Sequence, residues 1–178
     1  MLSAERIQEA EKNVRMYLID NLMKKEQFEA MIFKTFMRNH RESLLVAKKL
    51  FDESLSPLWV VIISYYSMFY IANAAIYKIG FKIGSKVAHK VTADALIVYV
   101  RKKLKEHLLE NYELASTEAL VLCDTLLQGY DLERIKRSVF QYETTEEIKT
   151  GKAKTSLQRA EQFSNEIEKL IIRKNETT

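Results

Sequence analysis

The chain has 178 residues, enough for one domain with a sizeable core, and 47% of its residues are apolar. Its four glycines and one proline are too few for an all-β fold, which needs turn residues about every 8–12 positions, so the composition predicts an all-α protein. A formal net charge of +4 permits an acidic partner such as nucleic acid but does not require one.

Apolar residues recur at steps of three and four along most of the chain, which predicts an up-and-down bundle of five to six helices. The helices are expected over residues 4–24, 27–51, 57–79, 86–110, 116–128 and 152–173. Gly129 is expected to break or bend the fifth helix, which resumes over residues 131–143, and residues 144–152 are expected to form a polar connector. Residues 1–174 are predicted to form a single domain, and residues 175–178 a disordered tail.

The helix boundaries have local signals. Ser3 and Ser56 are suitable N-caps, Pro57 suits a first helical position, and Gly80 suits a helix end. Cys123 lies among apolar residues, which indicates a small buried side chain rather than a reactive thiol.

The third helix is unusual because no charged residue occurs between Pro57 and Tyr77. The segment has the length of a membrane span. However, its tyrosines lie in the middle rather than at the two ends, and no second span accompanies it. A helix without charge on any face is normally buried on every face. We therefore predict that this segment is the central helix of a bundle, and that the protein is cytoplasmic, with no secretory signal at its N-terminus.

Helical spacing separates two lines of side chains on this central helix. One line is small and lets a neighbouring backbone approach closely: Ser64, Ser67, Ile71 and Ala74. The other ends in hydroxyl and amide groups that need partners when buried: Tyr66, Tyr70, Asn73 and Tyr77. The second line is expected to face core hydrogen bonds, a pocket or a partner subunit, and the sequence leaves these alternatives open.

An ordered set of motifs extends over about residues 10–172. The aromatic and small-residue helix ends at Gly80, and a loop leads to the pair His89 and Lys90. Arg137 and Tyr142 follow in "RIKRSVFQY". The last helix carries apolar residues at helical spacing: Ala153, Leu157, Ala160, Phe163, Ile167 and Leu170. In this order the motifs resemble those of HEPN domains (higher eukaryotes and prokaryotes nucleotide-binding).

The resemblance implies a bundle of four to five helices that usually dimerises and is often paired with a minimal nucleotidyltransferase in toxin–antitoxin modules. Many HEPN domains are metal-independent ribonucleases, with an Arg and a following His that meet their copies across the dimer. Here Arg137 has Tyr142 at the place of the His, and tyrosine is a poor base at pH 7 because its pKa is about 10. The resemblance thus implies a variety without an intact ribonuclease motif.

The function that this resemblance favours is the binding of nucleotide or RNA phosphate without efficient catalysis. The candidate binding residues are Arg134, Arg137, Tyr142, His89, Lys90, Tyr66 and Tyr70. One alternative is a metal-independent endoribonuclease toxin, using Arg137 with Tyr142 or the pair Arg101 and His107. The other is a non-catalytic scaffold whose apolar groove binds a partner helix.

The three histidines lie far apart and have no partner at a metal-type spacing, so neither a metal nor a cofactor is expected. Basic residues cluster from Lys82 to Lys105. Such a cluster is either a solvated helix face or a patch for an acidic ligand, and base stacking is not expected there because Tyr99 is the one aromatic residue interleaved with these lysines.

Overall fold

The computed structural model describes residues 2–131 and 146–173, and these ranges form six α-helices and one short antiparallel sheet. The helices are α1 (Ala4–Ile19), α2 (Ala30–Asp52), α3 (Pro57–Lys78), α4 (Ala88–Tyr99), α5 (Glu106–Asp131) and α6 (Glu146–Arg173). The strands are β1 (Met23–Lys25) and β2 (Phe81–Ile83). The prediction of an all-α helical bundle is confirmed.

The sheet was not predicted, and its first strand lies where the first helix was expected to continue. Ser3 caps α1 as expected, because its side chain accepts a hydrogen bond from the Arg6 N–H. The helix then ends at Ile19 rather than at residue 24, and the chain turns through Asn21, whose φ is 56°. Met23 pairs with Ile83 across the sheet and is fully buried there. This pairing joins residues 60 positions apart, so local periodicity does not reveal it.

The α2–α3 pair agrees closely with the sequence. Pro57 begins α3, Ser56 is its N-cap residue, and the helix ends before Gly80, whose φ of 96° is natural only for glycine. Helix α2 begins at Ala30, three residues later than predicted. Its hairpin with α3 brings the two apolar faces together, and α3 contributes more buried residues to the main core than any other described element does.

Helix α3 is the centre of the bundle. It packs against α2 and α6 along its length and also contacts α4, α5 and β2. All four members of the small line (Ser64, Ser67, Ile71 and Ala74) are buried. Among the described helices, α3 alone is long and apolar enough to cross a membrane, a test that core helices also pass, and 72% of its apolar window is buried inside the fold.

The largest corrections concern the region after α4. The single helix predicted over residues 86–110 is wrong, because α4 ends at Tyr99 and a 3₁₀ turn (Arg101–Lys103) precedes α5. The break lets α5 turn back and bury Leu108, Leu109 and Tyr112, a tertiary gain that outweighs the local helix propensity of the sequence.

The predicted boundaries of the last two helices are also wrong. Helix α5 begins ten residues before Ser116 and continues through Gly129, because one glycine inside a helix costs only about 1 kcal/mol. Helix α6 begins at Glu146, so part of the predicted connector is helical. The helix expected over residues 131–143 lies, after Asp131, outside the described residues.

A buried carboxylate joins α1 to α4. Asp94 is fully buried and accepts hydrogen bonds from Arg6 Nη2 at 2.7 Å, Asn13 Nδ2 at 3.0 Å and the Tyr17 hydroxyl at 2.8 Å. Arg6 Nη2 also contacts Glu113 of α5 at 2.7 Å. Because a buried charge needs such partners, this network fixes the position of α1 against α4 and α5.

A buried histidine joins α2 to α3. His40 is 2% exposed, and its Nδ1 lies 3.1 Å from the Ser67 carbonyl oxygen and 2.9 Å from the Ser67 hydroxyl. Its other ring nitrogen lies 3.9 Å from Glu168 of α6. Burial lowers the pKa of His40, so the ring is neutral at pH 7 and serves as a core hydrogen-bonding group.

Candidate functional site

Aromatic rings converge where α3, α4 and α5 meet, and we call this group the His89 cluster. Its members are His89, Tyr65, Tyr66, Phe69, Tyr112 and Ser116. The His89 ring lies 4.6 Å from the Phe69 ring and 5.5 Å from the Tyr65 ring, measured between centroids. It meets the Tyr66 ring edge-on at 5.8 Å. His89 is thus held in one orientation by rings from a single face of α3.

A chain of hydrogen bonds sets the proton positions in the cluster. Ser116 Oγ donates to the Tyr65 hydroxyl at 3.0 Å, and the Tyr65 oxygen lies 2.7 Å from His89 Nδ1. Because the phenol oxygen already accepts from Ser116, we assign its one proton to the bond with Nδ1. Neutral His89 then carries its own proton on Nε2, which forms no hydrogen bond to any residue in the described part of the chain.

Burial keeps the whole cluster uncharged near neutral pH. It lowers the pKa of His89 and raises the pKa of Tyr65 to about 12. It also raises the pKa of Tyr66 and of the fully buried Tyr112. His89 therefore offers a neutral N–H donor at Nε2, while the lone pair on Nδ1 is occupied by Tyr65. Such a group binds an acceptor well but is poorly placed to remove a proton.

The solvent side of the cluster is aromatic, and two exposed lysines lie close to His89 in sequence. Tyr66, Phe69 and Tyr70 are partly exposed, and the Tyr70 ring lies 6.2 Å from Tyr66 and 5.8 Å from Phe69. Lys90 follows His89 directly and is exposed, as is the nearby Lys86. Lys86 and Lys90 thus flank His89 in sequence, while the rings that contact His89 come from α3.

The structure unites some of the predicted site residues and leaves others untested. Tyr66 and His89 are in ring contact, Tyr70 adjoins them, and Lys90 lies exposed in the next position. Three predicted residues lie outside the described ranges: Arg134, Arg137 and Tyr142.

Two members of the tyrosine line have structural roles instead. Asn73 Nδ2 donates to the Phe69 carbonyl at 2.8 Å and to Thr92 Oγ1 at 3.2 Å. The Tyr77 hydroxyl donates to the Gln27 carbonyl at 3.1 Å and accepts from the Glu29 N–H at 3.0 Å. For these two residues, core hydrogen bonding was the correct alternative.

Sequence reasoning missed four members of the His89 cluster: Tyr65, Phe69, Tyr112 and Ser116. Tyr65 and Phe69 are four residues apart, one helical turn, so their spacing predicts that they share a face. Nothing in the sequence indicated that Ser116 would reach Tyr65, because α5 was expected to begin there rather than ten residues earlier.

The fold gives little support to a catalytic pair of Arg101 and His107 or to a metal site. Arg101 lies in the 3₁₀ turn and His107 lies exposed in the first turn of α5, so they do not share one continuous helix. In the described part of the chain, no group of three or more His, Cys, Asp or Glu side chains is arranged to hold a metal ion.

Comparison of the chain with protein-family models, curated proteins and solved structures finds no match. The site is therefore interpreted from its own geometry.

Tyr65 is expected to make the protein less stable in alkali. The folded-state pKa of about 12 exceeds the unfolded value of about 10, so this contribution to stability is complete below pH 10 and is lost as pH rises through 12. Between about pH 8 and pH 11, Tyr65 alone should lower the free energy of unfolding by about 1.4 kcal/mol.

Urea unfolding at those two pH values checks this expectation. The Tyr65→Phe variant cannot ionise at this position, so its loss of stability between the two pH values should be smaller than that of the wild type by the same amount. Other tyrosines and the lysines titrate equally in both proteins and cancel in the comparison. Equal losses in the two proteins would contradict the role assigned to Tyr65.

Proposed function

We propose that this protein is a HEPN-like helical binding protein that holds a nucleotide or RNA phosphate at the His89 cluster without efficient catalysis. The observation that carries the proposal is the hydrogen bond between Tyr65 and His89 Nδ1, which leaves a neutral N–H at Nε2 as the free group of the imidazole. That donor belongs to a ring packed against partly exposed aromatic side chains, and the exposed Lys86 and Lys90 lie within three residues of His89 in sequence.

Each part of the cluster suits one part of such a ligand. Partly exposed Tyr66 and Phe69 offer ring faces, and stacking of a base on an aromatic ring contributes about 1–3 kcal/mol. Lys86 and Lys90 attract phosphate through charge, an attraction that weakens as salt is added. The Nε2–H of His89 can donate to a phosphate oxygen or to an acceptor on the base.

The same geometry argues against efficient acid–base catalysis by this cluster. A general base needs a lone pair directed at the substrate, and the available lone pair of His89 is already taken by Tyr65. Tyr65, with a pKa of about 12, is protonated at pH 7. The family's ribonuclease motif would further require a His where this sequence has Tyr142.

The HEPN resemblance supplies the rest of the proposal. Arg134, Arg137 and Tyr142 would complete a polar groove, and the protein would act in the cytoplasm as a homodimer, partnered by a minimal nucleotidyltransferase in a toxin–antitoxin-type module. A small nucleotidyltransferase gene next to this one would favour the two-component module. Light scattering of the purified chain, alone and mixed with that nucleotidyltransferase, tests both associations.

Binding is tested by fluorescence anisotropy with a labelled single-stranded RNA of about eight nucleotides. We expect His89→Ala and Tyr66→Ala each to weaken binding by about tenfold, through the lost donor and the lost stacking surface. Lys90→Ala should weaken binding at low salt and reduce the salt slope by about one. Lys49→Ala, at an exposed position of α2, is the matched control and should bind as the wild type does.

Circular dichroism of each variant checks that the fold is retained. Weaker binding by a folded variant then reports a change at the site itself. RNA binding that is unchanged by His89→Ala and by Tyr66→Ala would contradict the proposal. A protein that binds neither RNA nor ATP would also contradict it. Cleavage of the RNA on a gel, abolished by Arg137→Ala, would replace the proposal with the endoribonuclease alternative.

A further inference from the structure

A second candidate surface lies between α2 and α6, two helices that contribute no residue to the His89 cluster. An open groove of about 500 Å³ runs between α2 and α6, and we call it the α2–α6 groove. Four apolar side chains form its floor: Phe33, Met37, Ile171 and Ile172. Ile172 is 58% exposed, and Met31, close to the start of α2, is 76% exposed. None of these residues belongs to the His89 cluster.

The rim of the groove on α2 is a stripe of positive charge. Lys34, Arg38 and Arg41 are spaced at i, i+4 and i+7, so they lie along one side of the helix over about 10 Å. Arg38 Nε lies 4.0 Å from Glu42, and Arg41 Nε lies 3.9 Å from Glu168, both at the outer limit of an ion pair. The side chains of Arg38 and Arg41 are 66% and 69% exposed, so both guanidinium groups can donate hydrogen bonds to further carboxylates.

We propose that the α2–α6 groove binds an acidic amphipathic helix of another protein. Two turns of such a helix match the length of the cationic stripe. Leucine-like side chains one turn apart would pack on Phe33 and Met37, while carboxylates at spacings of three and four would face Lys34, Arg38 and Arg41. Arginine suits this role because its planar guanidinium binds a carboxylate with two parallel hydrogen bonds.

The chemistry of the groove favours this partner over a nucleic acid or a lipid surface. Glu42 and Glu168 line the groove together with the three cations, and they would repel a continuous phosphate backbone. Individual carboxylates can instead be placed beside each arginine. The apolar floor lies in a concave channel between two helices, which fits an inserted helix better than a flat membrane.

The test uses the full chain and a synthetic peptide as the probe. The peptide is a capped helix of about four turns, with leucines on one face and glutamates on both flanks. Binding is measured by anisotropy of a label on the peptide. We expect Arg38→Glu combined with Arg41→Glu to weaken binding at least about tenfold, and Ile172→Ser to weaken it about threefold.

Two matched controls isolate the groove. Lys49→Glu reverses one charge on α2 outside the groove, half the charge change of the double arginine variant, and it should leave peptide binding unchanged. A peptide with lysines in place of the glutamates should not bind, since the leucine face alone would then meet a rim of like charge. The targeted groove side chains are largely exposed, so these variants are expected to fold.

Several outcomes would overturn the inference. They are the absence of binding at about 1 mM peptide, equal binding of the lysine peptide, and equal loss in Lys49→Glu. The double arginine variant could also lose binding of phosphatidylglycerol vesicles or of RNA while it still binds the peptide. That result would assign the groove to vesicles or RNA. The chain could also self-associate through the groove. In that case the double arginine variant would abolish the self-association and the peptide would not compete with it. Of these results, only loss of RNA binding in the double arginine variant would also bear on the RNA site proposed at the His89 cluster; the others leave that proposal unaffected.

Discussion

Replacing Asp94 with alanine is expected to lower the free energy of unfolding by about 3–5 kcal/mol. The carboxylate is fully buried and accepts three hydrogen bonds from α1. Its removal leaves the buried Tyr17 hydroxyl and the Asn13 amide without their acceptor. Arg6 keeps the partly exposed Glu113 and the exposed Glu9 but loses Asp94, the one fully buried carboxylate that it contacts among the described residues. Because a domain has only about 5–15 kcal/mol of stability, this loss is large.

Urea unfolding followed by circular dichroism measures the effect, and two further variants show where it arises. Glu9→Ala removes another carboxylate near Arg6, at 3.6 Å but 55% exposed, and should cost less than about 1 kcal/mol. Asp94→Asn keeps the shape but removes the charge, and should lie between Glu9→Ala and Asp94→Ala. A small effect of Asp94→Ala would show that α1 is held by apolar packing rather than by this network.

The Asp94 network also shows where sequence reasoning reaches its limit. Asp94 lies between apolar residues of α4, which hints at burial of a charge, but its partners are 77 to 88 positions away in the chain. Periodicity identifies the face on which a residue lies, and it does not identify the side chain of another helix that will reach it. The same limit hid Ser116 from the His89 cluster.

The architecture was more accessible because its signals are local. An uncharged segment of helical length in a bundle is normally buried over most of its surface, so the central position of α3 followed from its composition, although Trp59 near its start is 47% exposed. Ser3, Pro57 and Gly80 mark helix ends through backbone chemistry that needs no tertiary partner. The boundaries that failed are those set by distant contacts, such as β1–β2 pairing and the burial of Leu108 after the 3₁₀ turn.

The site was predictable only in part. The tyrosine line correctly placed Tyr66 and Tyr70 on one face of α3, and His89 was expected near it. Within the same line, however, Asn73 and Tyr77 turned out to bond backbone and core groups. A side-chain type alone does not distinguish a hydroxyl that holds a loop from one that faces a ligand, because both need a partner when buried.

Phe163→Ala is the second change with a large expected effect, again about 3–5 kcal/mol of lost stability. Phe163 of α6 is fully buried, and its ring lies 5.2 Å from that of Tyr112 on α5, measured between centroids. Truncation would remove the ring from the main core and leave a cavity between α5 and α6. Phe163→Leu keeps most of the volume and should cost roughly 1–1.5 kcal/mol.

Denaturant unfolding also shows whether α6 is part of one cooperative unit. Since α6 packs along the central helix α3, we expect Phe163→Ala to lower the midpoint with an unchanged m-value, the mark of a global loss of stability. Ile172→Ala, at an exposed position of the same helix, should change stability by less than about 0.5 kcal/mol. A lower m-value or a second transition for Phe163→Ala would mean instead that α6 detaches while α1–α5 remain folded.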